Sequence, residues 1–151
     1  MTVGKIEQIY IYADKGGPVE SLNEVEAVPG KGLQGDRQRA GKRSVTLLSQ
    51  EVWDEVQKEL GDDLVASERR ANLLVSGLDL AATLGKKLCI GQVEIAVAGE
   101  TTPCYQMDEK SPGLERALTP DMRGGVFGTV EVGGAIRIGD PVLVREHGRK
   151  W

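Results

Sequence analysis

Cys104 is the residue of this sequence whose type and setting best suit chemistry. It follows Pro103 inside the polar stretch 99–107, which comes directly after the apolar alternation of residues 93–97. Proline fixes φ and removes a backbone donor, so it holds the next residue in a defined direction. We therefore predict that Cys104 lies in a loop at the end of a strand, within reach of a ligand, as the reactive group of the protein.

A lone thiolate limits the chemistry that Cys104 can do. The other cysteine, Cys89, lies 15 positions earlier, which is neither a zinc spacing nor a CxxC redox pair. Cys89 stands between Leu88 and Ile90, and we predict that it is an inert core residue. The one histidine, His147, lies near the end of the chain, which argues against a Cys–His protease. Sulfur chemistry without a base and ligation of a soft metal by one cysteine stay open.

Basic side chains are the candidates for lowering the pKa of that thiol and for binding an anion. They are Arg37, Arg43, Arg69, Arg70 and Arg123. Arg69, Arg70 and Asn72 stand directly before the apolar run 73–75, which we predict to be a buried strand. A guanidinium presents a planar fork that suits phosphate or carboxylate, so this strand entrance is a candidate anion site.

The glycine-rich stretch 30–37 allows two interpretations. Three glycines in six residues fit neither a helix nor a good strand, so it is either a flexible hairpin loop or a loop whose backbone approaches a ligand closely. In the second case, Asp36 and Arg37 supply fixed charge. The four basic residues in 37–43 form either a solvated surface or the wall of an anion pocket. No helix follows the glycines, which excludes a dinucleotide-binding loop.

Short strands separated by glycine and proline predict a β-rich fold. We expect strands over 3–13, 22–28, 44–48, 73–75, 86–90, 92–98, 135–138 and 141–144, and another entered through the glycine-rich stretch 122–130. Ser49 is a good N-cap for a helix that ends at Gly61, and short helices are expected over 78–84 and 111–120. Residues 1–151 are read as a single domain.

Bulk properties exclude several classes of protein. The net charge of −4 gives non-specific nucleic-acid binding no electrostatic support. No apolar run approaches the roughly 18 residues of a membrane span, and the charged N-terminus does not resemble a signal peptide. The sequence thus predicts a cytoplasmic protein with neither nucleic acid nor membrane as a partner.

Five motifs, taken in order, give the chain a family resemblance. They are Gly-Leu-Gln-Gly-Asp-Arg at 32–37, Ser-Val-Thr-Leu-Leu at 44–48, the stretch 70–80, Pro-Cys at 103–104, and the closing Gly-Gly at 133–134 with Ile-Gly-Asp at 138–140. Together they resemble the MOSC domain, the C-terminal module of molybdenum cofactor sulfurases, which also occurs as small standalone bacterial proteins. The match runs from about residue 20 to residue 144.

This resemblance implies a closed β-barrel of short strands with a few short helices, like a pyruvate-kinase barrel, and a function around the molybdenum cofactor. The cysteine at the position of Cys104 is implied to carry sulfur as a persulfide or to ligate molybdenum. Binding of the anionic pterin cofactor, molybdopterin, is implied for six residues: Arg70, Asn72, Asp36, Arg37, Arg43 and Thr46.

Three hypotheses follow. The first is a molybdenum-cofactor-binding or sulfur-carrier protein, which takes sulfur from a cysteine desulfurase or another donor and passes it to a molybdoenzyme. The second is a small molybdenum-dependent reductase of N-hydroxylated compounds. The third is a non-enzymatic barrel that binds an anionic small molecule or a protein partner.

Overall fold

The computed structural model describes residues 3–13, 18–37, 44–60, 71–100 and 125–146. The strands are β1 (Val3–Ile11), β2 (Glu20–Leu22), β3 (Glu24–Val28), β4 (Gly32–Leu33), β5 (Val45–Ser49), β6 (Leu73–Ser76), β7 (Lys87–Ile90), β8 (Val93–Glu100), β9 (Val126–Val132), β10 (Gly134–Arg137) and β11 (Pro141–Arg145). The helix α1 covers Gln50–Leu60, and a short 3-10 helix covers Leu80–Thr83.

Seven of these strands form a closed barrel. The order around the ring is β1, β11, β7, β8, β9, β5, β6 and back to β1, and β2 pairs with β1 outside the ring. Neighbours in the ring are antiparallel except β5 and β6, which are parallel. A parallel pair needs a crossover connection, and α1 lies in the segment that joins β5 to β6.

The interior of the barrel is filled with aliphatic side chains. Alternate residues of each strand point to the same face, and the inward residues are almost all Val, Ile or Leu. In β5 these are Val45 and Leu47, in β6 Leu73 and Val75, and in β8 Val93, Ile95 and Val97, all in one buried cluster. Such a barrel has a packed core in place of a pore.

The helix α1 covers the outer face of the parallel pair. Ser49 caps it, since its Oγ accepts a hydrogen bond from the Val52 amide at 3.2 Å. Trp53 and Val56 are 1% and 0% exposed and form its buried stripe, while the outward residues Leu48 and Leu74 are also buried. Glu51 accepts a hydrogen bond from the Gly77 amide at 2.6 Å, which fixes the start of α1 against the end of β6.

A second, three-stranded sheet lies beside the barrel. Its order is β10, β3, β4, with both pairings antiparallel. Val25, Ala27, Leu33 and Ile136 from this sheet join the buried cluster of the barrel. The loop 30–37 begins inside this sheet and is therefore held against the barrel.

Most sequence predictions of the fold are confirmed, including the closed barrel. The predicted strand 22–28 is divided into β2 and β3, and the stretch 30–37 contains a short strand, β4, which we did not predict. The helix predicted over 78–84 is a shorter 3-10 helix. The helix predicted over 111–120 lies outside the described residues.

Candidate functional site

The polar residues of the candidate site lie on the outer wall of the barrel. Val45 and Leu47 point inward, so Thr46 between them faces outward, and the same alternation turns Asn72 and Tyr10 to that face. Across the sheet, Thr46 is in register with Phe127, and Phe127 with Gly99. We call Tyr10, Thr46, Asn72 and Phe127 the outer-wall patch.

Asn72 is the centre of the outer-wall patch and is fully buried. Its Oδ1 accepts hydrogen bonds from the Thr46 amide at 3.0 Å and the Thr46 hydroxyl at 3.2 Å. Its Nδ2 donates to the Tyr10 carbonyl at 3.1 Å. The side chain therefore links β5, β6 and β1 at the point where the parallel ladder begins.

The predicted residues Thr46 and Asn72 are thus brought together, and they bond to each other. Thr46 Oγ1 also accepts a hydrogen bond from the backbone amide of Asn72 at 3.0 Å. An asparagine amide has two N–H donors, and the bond to Tyr10 uses one of them. The cofactor-binding roles of Thr46 and Asn72 stay predictions, and their bonds show in addition a structural role.

Tyr10 and Phe127 complete the outer-wall patch, and sequence reasoning missed both. Each is half-buried, and burial raises the pKa of the Tyr10 phenol. The Phe127 ring lies on Gly99, because a Cβ at residue 99 would come within 2.7 Å of Phe127 Cζ. The alternation of β1 and β9 puts both rings on the outer face and is the signal that could have found them.

Asp36 is held at one side of the outer-wall patch, beside the end of β1. Its Oδ1 accepts a hydrogen bond from the Tyr12 amide at 2.8 Å, and the Arg37 amide donates to the Tyr12 carbonyl at 3.0 Å. The Tyr12 hydroxyl donates to the Ala71 carbonyl at 3.1 Å. The predicted residues Asp36 and Arg37 therefore lie at the same corner of the barrel as the start of β6.

One oxygen of Asp36 has no donor among the described residues. Asp36 is 6% exposed, and its Oδ2 is buried without a hydrogen-bond partner among the described residues. Burying an unpaired acceptor costs about 1–3 kcal/mol, and more when the group is charged. A donor that reached this oxygen would remove that cost.

Gly32, in the loop 30–37, serves the protein's own packing. At Gly32, a Cβ would overlap the carbonyl oxygen of Ser44, and φ is +119°. The close approach predicted for this loop is thus, at Gly32, an approach to the start of β5. Ser44 is itself buried and donates to the Gly128 carbonyl at 3.1 Å.

Three predicted site residues lie outside the described part of the chain: Cys104, Arg43 and Arg70. Their described neighbours in sequence are Glu100, Ser44 and Ala71. Glu100 ends β8, Ser44 directly precedes β5, and Ala71 lies two residues before β6. All three of these strands border or contain the outer-wall patch.

Our prediction that Cys89 is a buried core residue is wrong. Leu88 and Ile90 are fully buried, whereas Cys89 between them is only partly buried. In β7 it faces outward and pairs in register with Leu143, a residue that is 39% exposed. The thiol of Cys89 is therefore nearer to solvent than its apolar neighbours suggested.

Comparison with known proteins identifies the family of this chain. The sequence profile of the MOSC domain matches residues 22–143 of the chain. The chain belongs to the MOSC family. As a family, MOSC domains are associated with the molybdenum cofactor.

Solved structures agree with this assignment at the level of the fold. The MOSC chain is similar to YuaD from Bacillus subtilis, with 22% identity and a TM-score of 0.81 over 97% of this chain and 100% of that one. It is also similar to YiiM from Escherichia coli, with 18% identity and a TM-score of 0.74 over 99% and 72% of the two chains. A third similar structure is YiiM from Geobacillus stearothermophilus, with 17% identity and a TM-score of 0.75 over 96% of this chain and 76% of that one.

No curated protein sequence matches the chain significantly. Among the described residues, no helix is long and apolar enough to cross a membrane.

Proposed function

We propose that this MOSC protein binds the molybdenum cofactor on the outer wall of its barrel and uses Cys104 either to carry sulfur as a persulfide or to ligate molybdenum. The observation that carries this proposal is the contrast between the two faces of the wall. The interior is filled with aliphatic side chains, whereas the outer face holds the buried polar groups of Thr46 and Asn72. An anionic cofactor needs polar and cationic partners, so the outer face suits it and the interior does not.

The residue types around the outer-wall patch fit the parts of the cofactor. Arg70 and Arg43 precede β6 and β5 and can pair with a phosphate. Asp36 offers an oxygen that has no donor in the described part of the chain, which suits the N–H groups of a pterin. When bound, the cofactor supplies a molybdenum centre on a dithiolene, and a thiolate such as Cys104 is a soft ligand for that metal.

Strand register supports a role for Cys104 at this place. Glu100 pairs with Val126 of β9, and Val126 pairs with Leu47 of β5, which adjoins Thr46. Strands lie about 4.8 Å apart, so Glu100 is about 10 Å from Leu47. Four residues of chain span at most about 14 Å, so the segment from Glu100 to Cys104 is long enough for Cys104 to reach the outer-wall patch, as the proposal requires.

Sulfur transfer to Cys104 is a simple exchange. A cysteine desulfurase carries sulfane sulfur as a persulfide on its own cysteine. The Cys104 thiolate attacks that sulfur, a new S–S bond forms on Cys104, and the donor's S–S bond breaks to release the donor's thiolate. The proposal thus includes a desulfurase or other sulfur donor, a molybdoenzyme acceptor, and a cytoplasmic location.

Mass spectrometry after incubation with a cysteine desulfurase and cysteine tests the sulfur-carrier form. We expect one added sulfur on the wild type and on Cys89→Ser, and none on Cys104→Ser. The Cys89→Ser control is needed because Cys89 is partly exposed. Sulfur on Cys89 alone, or on neither cysteine, would exclude this form.

The metal-ligand form predicts a different result. Protein purified from a cofactor-producing host would then contain molybdenum that Cys104→Ser loses and Cys89→Ser keeps, with no persulfide on either cysteine. An assay with N-hydroxylated substrates and an external electron donor then tests for reductase activity. Equal molybdenum in the wild type and in Cys104→Ser would contradict a ligand role.

A further inference from the structure

We propose that Asp36 recognises the amino-pyrimidine edge of a pterin through Oδ2 and so sets the direction of the cofactor along the outer wall. This inference rests on the proposed function. It starts from a carboxylate that is 6% exposed, with one oxygen bonded to the Tyr12 amide and the other without a donor in the described part of the chain.

Charge decides which part of the cofactor can lie at Asp36. Two anions repel each other, and this repulsion is strong where water is excluded. A carboxylate is therefore a poor neighbour for the phosphate or the dithiolene. The pyrimidine ring of a pterin differs because its 2-amino group and adjacent ring N–H are both donors. A carboxylate oxygen only accepts hydrogen bonds, so this edge is its natural partner.

The position of Asp36 is fixed before any ligand arrives. Oδ1 is bonded to the Tyr12 amide, and the Arg37 amide closes a second bond to the Tyr12 carbonyl. Tyr12 is 1% exposed, and its hydroxyl bonds to Ala71. A carboxylate held in this way loses little freedom on binding, which favours recognition of one donor pattern.

Strand order gives the cofactor a direction. The outer-wall patch runs from Phe127 on β9 through Thr46 and Asn72 to Tyr10 on β1. The Tyr12 amide that binds Asp36 faces the same side of β1 as the Tyr10 amide, which donates to the Asn72 carbonyl, so Asp36 lies past the start of β6 at the β1–β6 edge of the patch. The strand β8 lies beyond the opposite edge, next to β9. The pyrimidine edge is therefore at the Asp36 side, and the rest of the cofactor extends across the patch towards β9.

Two small probes test the recognition without the whole cofactor. 6-Hydroxymethylpterin carries the 2-amino donor, whereas 6-hydroxymethyllumazine has an acceptor oxygen at that place. Fluorescence titration should show that the wild type binds the pterin at least about tenfold more tightly than the lumazine, because the lumazine sets an oxygen against Asp36. Equal affinities for the two probes would overturn the proposal, whatever the variants do.

The variant Asp36→Asn provides a second test. An asparagine keeps an oxygen for the Tyr12 amide and puts an N–H₂ donor in place of Oδ2, so the preference for the pterin should be lost or reversed. Asp54→Asn makes the same change on the exposed face of α1 and should keep the preference. An unchanged preference in folded Asp36→Asn would assign Asp36 a structural role and overturn the proposal.

Failure of this inference is distinguishable from failure of the proposed function. Molybdopterin content of protein purified from a cofactor-producing host is measured beside the titrations. If the wild type retains molybdopterin but shows no preference between the probes, the assignment of Asp36 is wrong and the proposed function stands. If the wild type retains no molybdopterin and binds neither probe, both fail.

Discussion

At the residue scale, Asn72 shows how one buried amide can serve both the fold and the candidate site. Its side chain takes the place of a ladder carbonyl for the Thr46 amide and at the same time reaches the Tyr10 carbonyl of the next strand. A polar group this deep is stable only because each bond replaces one to water. The same bonds fix the hydroxyl of Thr46 on the outer wall.

Removal of the side-chain amide of Asn72 should lower the stability of the protein substantially. Asn72→Ala leaves the Thr46 amide and the Tyr10 carbonyl without their partner, and we expect a loss of about 2–4 kcal/mol in the free energy of unfolding. Urea denaturation measures this loss. Gln50→Ala is the control, since it removes only an exposed bond to Asp54 and should cost less than about 0.5 kcal/mol. Equal effects of the two variants would contradict the role given to Asn72.

Cys89 and Asp36 mark what single residues reveal in a sequence. The outward position of Cys89 follows from the alternation of side chains along β7. We predicted a core position because its neighbours Leu88 and Ile90 are both apolar. Asp36 is different, because its partner Tyr12 lies 24 positions away. No local pattern indicates which distant amide a carboxylate will bind. The sequence therefore showed only that Asp36 belongs to the motif at 32–37.

At the scale of elements, the loop 30–37 is part of the packing of β5. Its glycines were correctly seen as unusual, but the sequence could not distinguish a ligand from a strand as the neighbour of the backbone. The structure identifies that neighbour at Gly32 as Ser44. The strands themselves were predictable because the alternation of aliphatic residues is local, whereas the pairing of β5 with β6 depends on contacts between distant segments.

Two glycines of this loop give a matched comparison. At Gly32 an alanine Cβ would overlap Ser44 and φ is +119°, whereas at Gly30 φ is +73° with no atom within 4 Å. Gly32→Ala should therefore lower the free energy of unfolding by about 3 kcal/mol, and Gly30→Ala by about 1 kcal/mol. Chemical denaturation decides, and a larger loss in Gly30→Ala would refute the packing role of Gly32.

A charged ladder on the outer faces of β7, β8 and β9 has a pH signature. Lys87 lies 3.1 Å from Glu131 and 3.4 Å from Glu94. The hydrogen bond to Glu131, with a further contribution from Glu94, raises the pKa of the Lys87 ammonium despite the opposing effect of burial. Because the pKa of Lys87 is raised in the folded state, its ion pairs stabilise the fold fully below the unfolded pKa of about 10.4. This stabilisation is lost as the pH rises through the folded pKa.

The variant Lys87→Met tests this linkage. The difference in the free energy of unfolding between wild type and variant should be largest near pH 8. It should begin to shrink above about pH 10.4, where the unfolded lysine loses its proton, and should be lost once the pH passes the higher folded pKa. Other groups titrate in both proteins and cancel in the difference. Lys86→Met, which removes an exposed ion pair with Glu146, should cost less at pH 8. A difference that grows with pH would reverse the predicted sign.

At the scale of the whole molecule, closure of the barrel decides where a ligand can bind. Pairing of β1 with β11 joins the two ends of the ring, and the aliphatic cluster fills its interior. The proposed function therefore uses the outside of the barrel, where loops and strand edges supply polar groups. The family resemblance predicted the barrel, but it did not indicate which face of the wall carries Thr46 and Asn72.

The central claim is that this outer wall, with the segments that carry Arg70 and Cys104, holds the molybdenum cofactor. The most direct measurement is the content of molybdenum and of oxidised pterin per protein purified from a cofactor-producing bacterial host. We predict a nearly equimolar content in the wild type and a loss of most of it in folded Arg70→Ala. A folded wild type without cofactor, or an Arg70→Ala variant that retains as much as the wild type, would contradict the claim.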